Sequence, residues 1–230
     1  MTRAFIDLHC HTNASFDCLA RPADVVKAAA ARGLTHLVVT DHDRIDGALA
    51  ARDLAPAGLT VIVGEEVKTT DGDLVAAFLQ HAVPPGLSAV ETVSAIREQG
   101  GLVGIPHPFD RMRGSKLSEA RLADLATRVD WIEVHNARLV GGGNDRAAEF
   151  AREHGLPGAA ASDAHSTLEV GVAYTAVEGD PSTPAGLVAG LAKAELVPGR
   201  ASYFVRLWTP VAKAVNLVRG NHRVRPGATT

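Results

Sequence analysis

Cysteine is nearly missing from this chain. Cys10 and Cys18 are the only two among 230 residues, so no disulfide framework of the kind that staples small secreted folds is available. No apolar run approaches the ~20 residues needed to cross a bilayer, and no membrane-spanning helix is expected. Charge of one sign is lacking too. The 23 Lys and Arg against 26 Asp and Glu leave a net charge of −3, with no global pull toward nucleic acid or an anionic membrane surface. The opening "MTRAFIDLH" runs directly into a strand pattern without the apolar h-region of a secretory leader. A cytoplasmic protein with no obligate protein partner is the expectation. Internal repeats and linkers are absent as well.

What is present is a 46% apolar chain, enough for a sizeable core. Short apolar runs alternate with Ala-rich amphipathic segments. "AFIDLH", "THLVVTD", "LTVIVGEEV", "DLVAAFLQ", "LVGIPHP", "WIEVHN", "LPGAAASDAH" and "AYTAVEG" read as strands. "RPADVVKAAAARG" reads as a helix with Pro22 at its start and Gly33 past its end. Ser88 with Glu91 forms a capping box for another helix. A last helical segment is expected from Leu207 to Arg219. Strands alternating with helices imply βα units and a largely parallel sheet. Six or seven such units without repeats suggest a barrel more than an open sheet. Residues 1–220 are expected to form one α/β barrel domain. Residues 221–230, basic and poor in apolar side chains, are expected to be a flexible tail that matters little to activity.

The polar residues are not scattered. His9 and His11 end the first strand, two apart and therefore on one face. "TDHD" ends the second with Asp41, His42 and Asp43. "GEE" places Glu65 and Glu66 near the end of the third. "IPHP" places His107, and "SDAH" places Asp163 and His165. In a barrel, the carboxyl ends of the strands converge on one mouth. Five of the ten histidines thus gather with carboxylates, the donor set of zinc, manganese or iron. The set exceeds one four-coordinate site, so two or three divalent ions are expected, with a carboxylate bridging a pair. The usual task of such clusters is phosphoester hydrolysis, with a metal-bridging hydroxide as nucleophile. His36, His81, His154 and His222 read as ordinary. Cys10 alternates with the two histidines and faces the other way, and Cys18 reads as a small buried residue. Arg111, Arg138 and Arg200 are candidates for gripping substrate phosphate. Arg138 leads, because it follows a strand end. One of Asp41 and Asp43 is expected to orient a ligand imidazole from behind.

Taken in order, "DLHCHTNASFD", "GLTHLVVTDHD", "GEEV", "IPHPFD" and "SDAH" resemble the polymerase and histidinol phosphatase (PHP) domains. The resemblance implies a distorted (β/α)7 barrel with up to three metals. Carried over, His9, His11, Glu66 and Asp163 would bind the first, and Glu66 would bridge to a second completed by His107. Asp17, His42 and His165 would bind a third. The glutamate two after Gly64 is the one implied, hence Glu66 over Glu65. Where many members have a further histidine, this chain offers Asp73, leaving two or three metals open. The implied activity is hydrolysis of a small phosphomonoester, such as a nucleotide, a nucleoside bisphosphate or a short oligonucleotide. Two rivals remain. One is a 5′–3′ exonuclease on longer RNA or DNA, for which "KAVNLVRGNHRVR" could touch a polyanion. The other is a non-catalytic, regulatory metal-binding module.

Overall fold

The computed structural model describes residues 2–113 and 117–224. Its strands are β1 (Arg3–Cys10), β2 (His36–Val39), β3 (Thr60–Lys68), β4 (Asp73–Ala77), β5 (Leu102–Ile105), β6 (Trp131–Asn136), β7 (Gly158–Ala161), β8 (Tyr174–Glu178) and β9 (Glu195–Val197). They form one sheet in the order β7-β6-β5-β4-β3-β2-β1-β8-β9. β1 to β3 run parallel, as do β5 to β7. The sheet curls until the chain leaving β7 returns to β1. There the Asp163 N–H donates to the His9 carbonyl and the His11 N–H to the Ala164 carbonyl, both at 2.9 Å. The result is a distorted (β/α)7 barrel. β8 pairs antiparallel with the first half of β1, from Arg3 opposite Glu178 to Ile6 opposite Thr175. β1 therefore has two neighbours on one edge, β8 below and the residues after β7 above.

The sheet is less parallel than the alternation of elements predicts. β4 is antiparallel to both β3 and β5. The reason is the short connection "TTDG": a parallel crossover needs a dozen or more residues, and four can only make a hairpin. The reversal matters for function. It brings Asp73, the first residue of β4, opposite Lys68 at the far end of β3, the end where the other strands finish.

The helices follow their local signals. They are α1 (Pro22–Ala31), α2 (Asp46–Asp53), α3 (Ala89–Glu98), α4 (Glu119–Leu125), α5 (Gly143–His154) and α6 (Pro184–Leu191). Pro22 opens α1, whose first position needs no N–H. Ser88 and Glu91 cap α3 reciprocally, and Gly155 ends α5 with φ 65°. The C-terminal helical segment is split into a short α7 (Tyr203–Arg206) and α8 (Trp208–Val218).

The pleat sorts the core into two layers. Ile6, Val38, Ile62, Val75 and Trp131 fill the barrel, with Leu187 and Leu191 of α6 packed onto them. Leu37, Val39, Val61 and Val63 point outward to Val25, Ala29 and Ala51 of the helices. Inside, Gly104 makes room for Trp131: a Cβ at that position would lie 2.1 Å from the indole. Gly104→Ala is therefore expected to cost about 1–3 kcal/mol by overpacking, seen as a lower midpoint of chemical unfolding. An unchanged midpoint would show that the interior yields at this point.

Candidate metal centre

The upper end of the barrel is where the polar strand ends meet. Alternation decides which of them face inward. On β3, Ile62, Gly64 and Glu66 share the interior face. Glu65 points outward and accepts the Val83 N–H at 2.8 Å, with burial pushing its carboxyl up to about 8. On β1, His9 and His11 face in, while the Cys10 side chain joins the outer layer.

The inward donors crowd together. His9 Nε2 lies 3.1 Å from His11 Nε2 and 3.2 Å from Glu66 Oε2. His107 Nε2 lies 3.1 Å from Glu66 Oε1. Asp163 Oδ1 is 3.5 Å from His11 Nε2, and Asp17 Oδ2 is 3.4 Å from the Nε2 atoms of both His42 and His165. Three overlapping groups have donor atoms close enough to share an ion: His9, His11 and Asp163; His9, Glu66 and His107; and His11, His42 and His165. Two ligands about 2.1 Å from one ion stand about 3.0 Å apart in octahedral and about 3.4 Å apart in tetrahedral geometry, which is the spacing seen. Asp17 Oδ1 and Asp163 Oδ1 are buried and accept no hydrogen bond. A buried carboxylate oxygen without a donor is costly, and a divalent cation satisfies it. The residues present therefore fit metal ions.

The imidazoles are held from behind. His9 Nδ1 donates to Glu133 Oε1 at 2.6 Å. His165 Nδ1 donates to the Asp163 carbonyl at 2.9 Å. The Ser15 hydroxyl gives its proton to Asp41 Oδ1 at 2.6 Å, so His11 Nδ1, 3.2 Å away, is assigned as the donor to Ser15 Oγ. Each bond leaves Nε2 with its lone pair toward the cluster, the tautomer a metal needs. Asp41 thus acts on His11 through Ser15. Asp43 turns elsewhere, to the Lys68 N–H at 2.7 Å and to Arg223. Asp43, His107 and Asp163 have φ of 58°, 28° and 52°. Such conformations cost of order 1–3 kcal/mol each for residues with a Cβ, and only Phe78 shares them among the other described non-glycine residues.

Asp73 belongs to none of the three groups. It lies at the rim, 3.3 Å from Arg223 Nη2. Arg111 and Arg200 are exposed, and neither lines the cleft of about 590 Å³ above the cluster. Arg138 does line it, and its guanidinium is tied to Glu169 at 3.1 Å and Thr209 at 2.7 Å. Three further residues touch the site or its rim. Glu133 is visible only through its alternation with inward Trp131. Arg113 bonds Asp163 and places Nη1 3.0 Å from His107 Nε2. Arg223 lies in the segment expected to be a flexible tail, of which residues 221–224 are described and 225–230 lie outside the described residues. It donates to Asp43 Oδ2 at 2.6 Å.

The burial has electrostatic consequences. Burial disfavours the charged form of His42, but Glu66 and Asp17 outweigh it and raise its pKa to about 9. Burial likewise opposes ionisation of Glu66 and Asp17, but the facing histidines hold both carboxyls well below their ordinary range. Burial, then the neighbouring His165, pushes His11 down.

A barrel whose strand ends carry histidines and carboxylates at ligand spacing has the build of a metal-dependent hydrolase. The sequence profile of the PHP domain matches residues 7–127, and that of a PHP-associated region matches 141–196. The chain belongs to the PHP domain family. It is 35% identical to an uncharacterized protein of Methanocaldococcus jannaschii over 57% of this chain and 81% of that one. It is 30% identical to a 5′–3′ exoribonuclease of Haemophilus influenzae over 48% of this chain and 44% of the relative. Among solved structures it resembles a two-domain protein from Bacteroides vulgatus containing a predicted PHP-like metal-dependent phosphoesterase. The TM-score is 0.72 and the identity 20%, over 86% of this chain and 65% of that one. It also resembles a lesion-specific endonuclease from Pyrococcus furiosus, with TM-score 0.58 and 16% identity over 85% of this chain and 58% of that one. No helix of the described residues is long and apolar enough to cross a membrane.

A pH dependence follows. With its pKa raised to about 9, His42 carries a proton at pH 7.5 in the metal-free protein, and coordination requires that proton to leave. Binding of Mn²⁺ is expected to release protons and to strengthen as pH rises toward 9. Calorimetric titrations in two buffers of different ionisation heat measure this. Equal heats in both would mean that no proton leaves on binding, and would overturn the raised pKa of His42.

Proposed function

We propose that this chain hydrolyses a small phosphorylated substrate: a nucleotide, a nucleoside bisphosphate or a short oligonucleotide. The observation that carries the reading is the donor cluster at the floor of a cleft whose walls bear Arg113, Lys213 and Arg223. His9, His11, Asp163 and Glu66 would hold one divalent ion, Glu66 with His107 a second, and Asp17, His42 and His165 a third. Such ions supply Lewis acidity toward a phosphoryl oxygen and a water.

The chain's own groups do the rest. Glu133 and Ser15 fix two ligand imidazoles, so donor positions are set before substrate arrives. Arg113, beside Asp163 and His107, puts a permanent positive charge where a phosphoryl oxygen would sit. At the rim, Lys213 and Arg223 lie over the Phe16 ring, 5.3 and 5.8 Å from its centroid. They stand ready for the anionic or planar part of a nucleotide. Cys10 and Cys18 are buried, and burial pushes both thiols up. Neither serves as a nucleophile, and hydrolysis proceeds without a thiol intermediate. The cleft of about 590 Å³ falls in the size range of small-molecule pockets.

His42→Ala and Asp163→Ala are expected to abolish hydrolysis of a phosphomonoester while the fold persists. Near wild-type turnover of either at saturating metal would sink the site assignment. Arg223→Ala is expected to raise KM several-fold. A second comparison separates the proposed activity from that of an exonuclease. A mononucleotide is set against a ~20-mer over ~50–200 mM salt, where proteins gripping many phosphates lose affinity steeply. Catalytic efficiency is expected to be at least as high on the mononucleotide. A strong preference for the strand that fades with salt would favour the exonuclease.

A further inference from the structure

α8 is held to the barrel by an unusual contact. Its two buried positions are Ala212 and Asn216, one turn apart, with Asn216 2% exposed. Most of its large apolar residues point outward instead: Trp208, Val211, Leu217 and Val218 are exposed, and Val215 is half-buried. What anchors the helix at Asn216 is polar. The carboxamide Nδ2 donates to the Ser15 carbonyl at 3.2 Å and to the Cys18 carbonyl at 3.0 Å. Those carbonyls bracket Phe16 and Asp17. Past the helix, Gly220 turns the chain at φ 74°, and Asn221 Nδ2 donates to the carbonyls of Asn13 at 3.1 Å and Ala14 at 3.2 Å. Two amides from the end of the chain therefore hold four carbonyls of the loop that follows β1.

The loop is also tied to the barrel on either side of Asp17: Ser15 Oγ donates to Asp41 Oδ1 at 2.6 Å and accepts the His42 N–H at 3.1 Å, the Arg44 guanidinium donates to the Ala14 carbonyl at 3.2 Å, and the Cys18 thiol donates to the His165 carbonyl at 3.2 Å. Its own backbone closures are Asn13 N–H to Ala20 O at 2.7 Å, Ser15 N–H to Thr12 O at 3.0 Å and a long Cys18 N–H to Ser15 O at 3.4 Å. It delivers Asp17, whose Oδ2 must sit within 3.4 Å of two imidazoles. Asp17 lies between those ties, and coordination demands that its carboxylate be held to a fraction of an ångström. The bracing residues fall outside both matched stretches, 7–127 and 141–196.

We propose that Asn216 is a positioning residue of the metal centre: it locks the loop carrying Asp17 and thereby the ion position bounded by Asp17, His42 and His165. This rests on the reading of that cluster as metal-binding. Asn216→Ala should speed amide hydrogen exchange in residues 13–18 of the metal-free protein at least about 10-fold, with the barrel strands unchanged. It should also weaken one class of Mn²⁺ site by about 10–100-fold, the range for residues that orient ligands, and leave the other sites as they are. Val218→Ala, at an exposed position on the same helix, should do neither. Asn221→Ala should give the same pattern in weaker form, and serves if Asn216→Ala does not fold. Unchanged exchange, or faster exchange with every Mn²⁺ site intact, would overturn the proposal. So would a uniform loss of all sites with a lower unfolding midpoint, since that marks a purely structural role. A wild-type protein that takes up no Mn²⁺ would instead overturn the reading of the cluster, and faster exchange in Asn216→Ala would still establish the brace.

Discussion

Everything at the upper end of this barrel answers to one constraint: ionisable side chains are buried there in numbers that no hydrophobic core tolerates unpaired. His9, His11, His107, Glu66 and Asp163 are essentially without solvent contact. A buried charge costs several kcal/mol unless it is compensated. In the metal-free protein the histidines and carboxylates compensate one another, and Arg113 adds a cation against Asp163. The balance is incomplete, as the unpartnered oxygens of Asp17 and Asp163 show. Divalent ions would complete it with charge of the right sign at the right spacing. The same burial that makes the cluster expensive would strengthen its hold on an ion, because charges attract more strongly away from bulk water.

The fold separates that cost from what offsets it. The lower end of the barrel is apolar, with Trp131, Ile6 and Val38 under α6. The upper end is almost wholly polar. Two departures from a regular βα barrel build the upper end. The β3–β4 hairpin adds an inward carboxylate at the rim, and the chain after β7 crosses back to β1, where it is hydrogen-bonded at His9 and His11. That second closure places Asp163 directly beside the paired histidines. Asp163 adopts φ 52° there, a conformation that costs of order 1–3 kcal/mol for a residue with a Cβ and that the rest of the fold must offset.

Much of this was legible in the sequence. Strand ends that carry histidine or aspartate after an apolar run are local signals, and the pleat dictates that His9 and His11 share a face. The choice of Glu66 over Glu65 rested on resemblance, and alternation along β3 supplies its physical reason: one points in, the other out. The capping box of α3 and Pro22 of α1 were visible for the same local reason. Glu133, Arg113 and Arg223 were not legible as parts of the site. Glu133 meets His9 across 124 positions and Arg223 meets Asp43 across 180. Such pairs are made by closure of the barrel, and no periodicity announces them. The antiparallel course of β4 was open to inference from its four-residue connection, but its consequence for Asp73 needed the register.

Residues 221–224, the described part of the segment expected to be flexible, show how polar contacts can hold a stretch poor in apolar residues. A segment poor in apolar residues has little hydrophobic reason to dock, and the reading of residues 221–230 as flexible followed from that. Docking here is polar: Asn216 and Asn221 satisfy backbone carbonyls, and Arg223 neutralises Asp43, which is 2% exposed. A buried carboxylate and a row of loop carbonyls are demands created by the metal cluster's own loops. Asn216, Asn221 and Arg223 meet those demands, so the placement of these residues derives from the site and not from a core of their own. This reverses the usual dependence, in which a rigid scaffold positions functional loops. Here the loop after β1 and the C-terminal segment order each other, and Asp17 lies where the two meet.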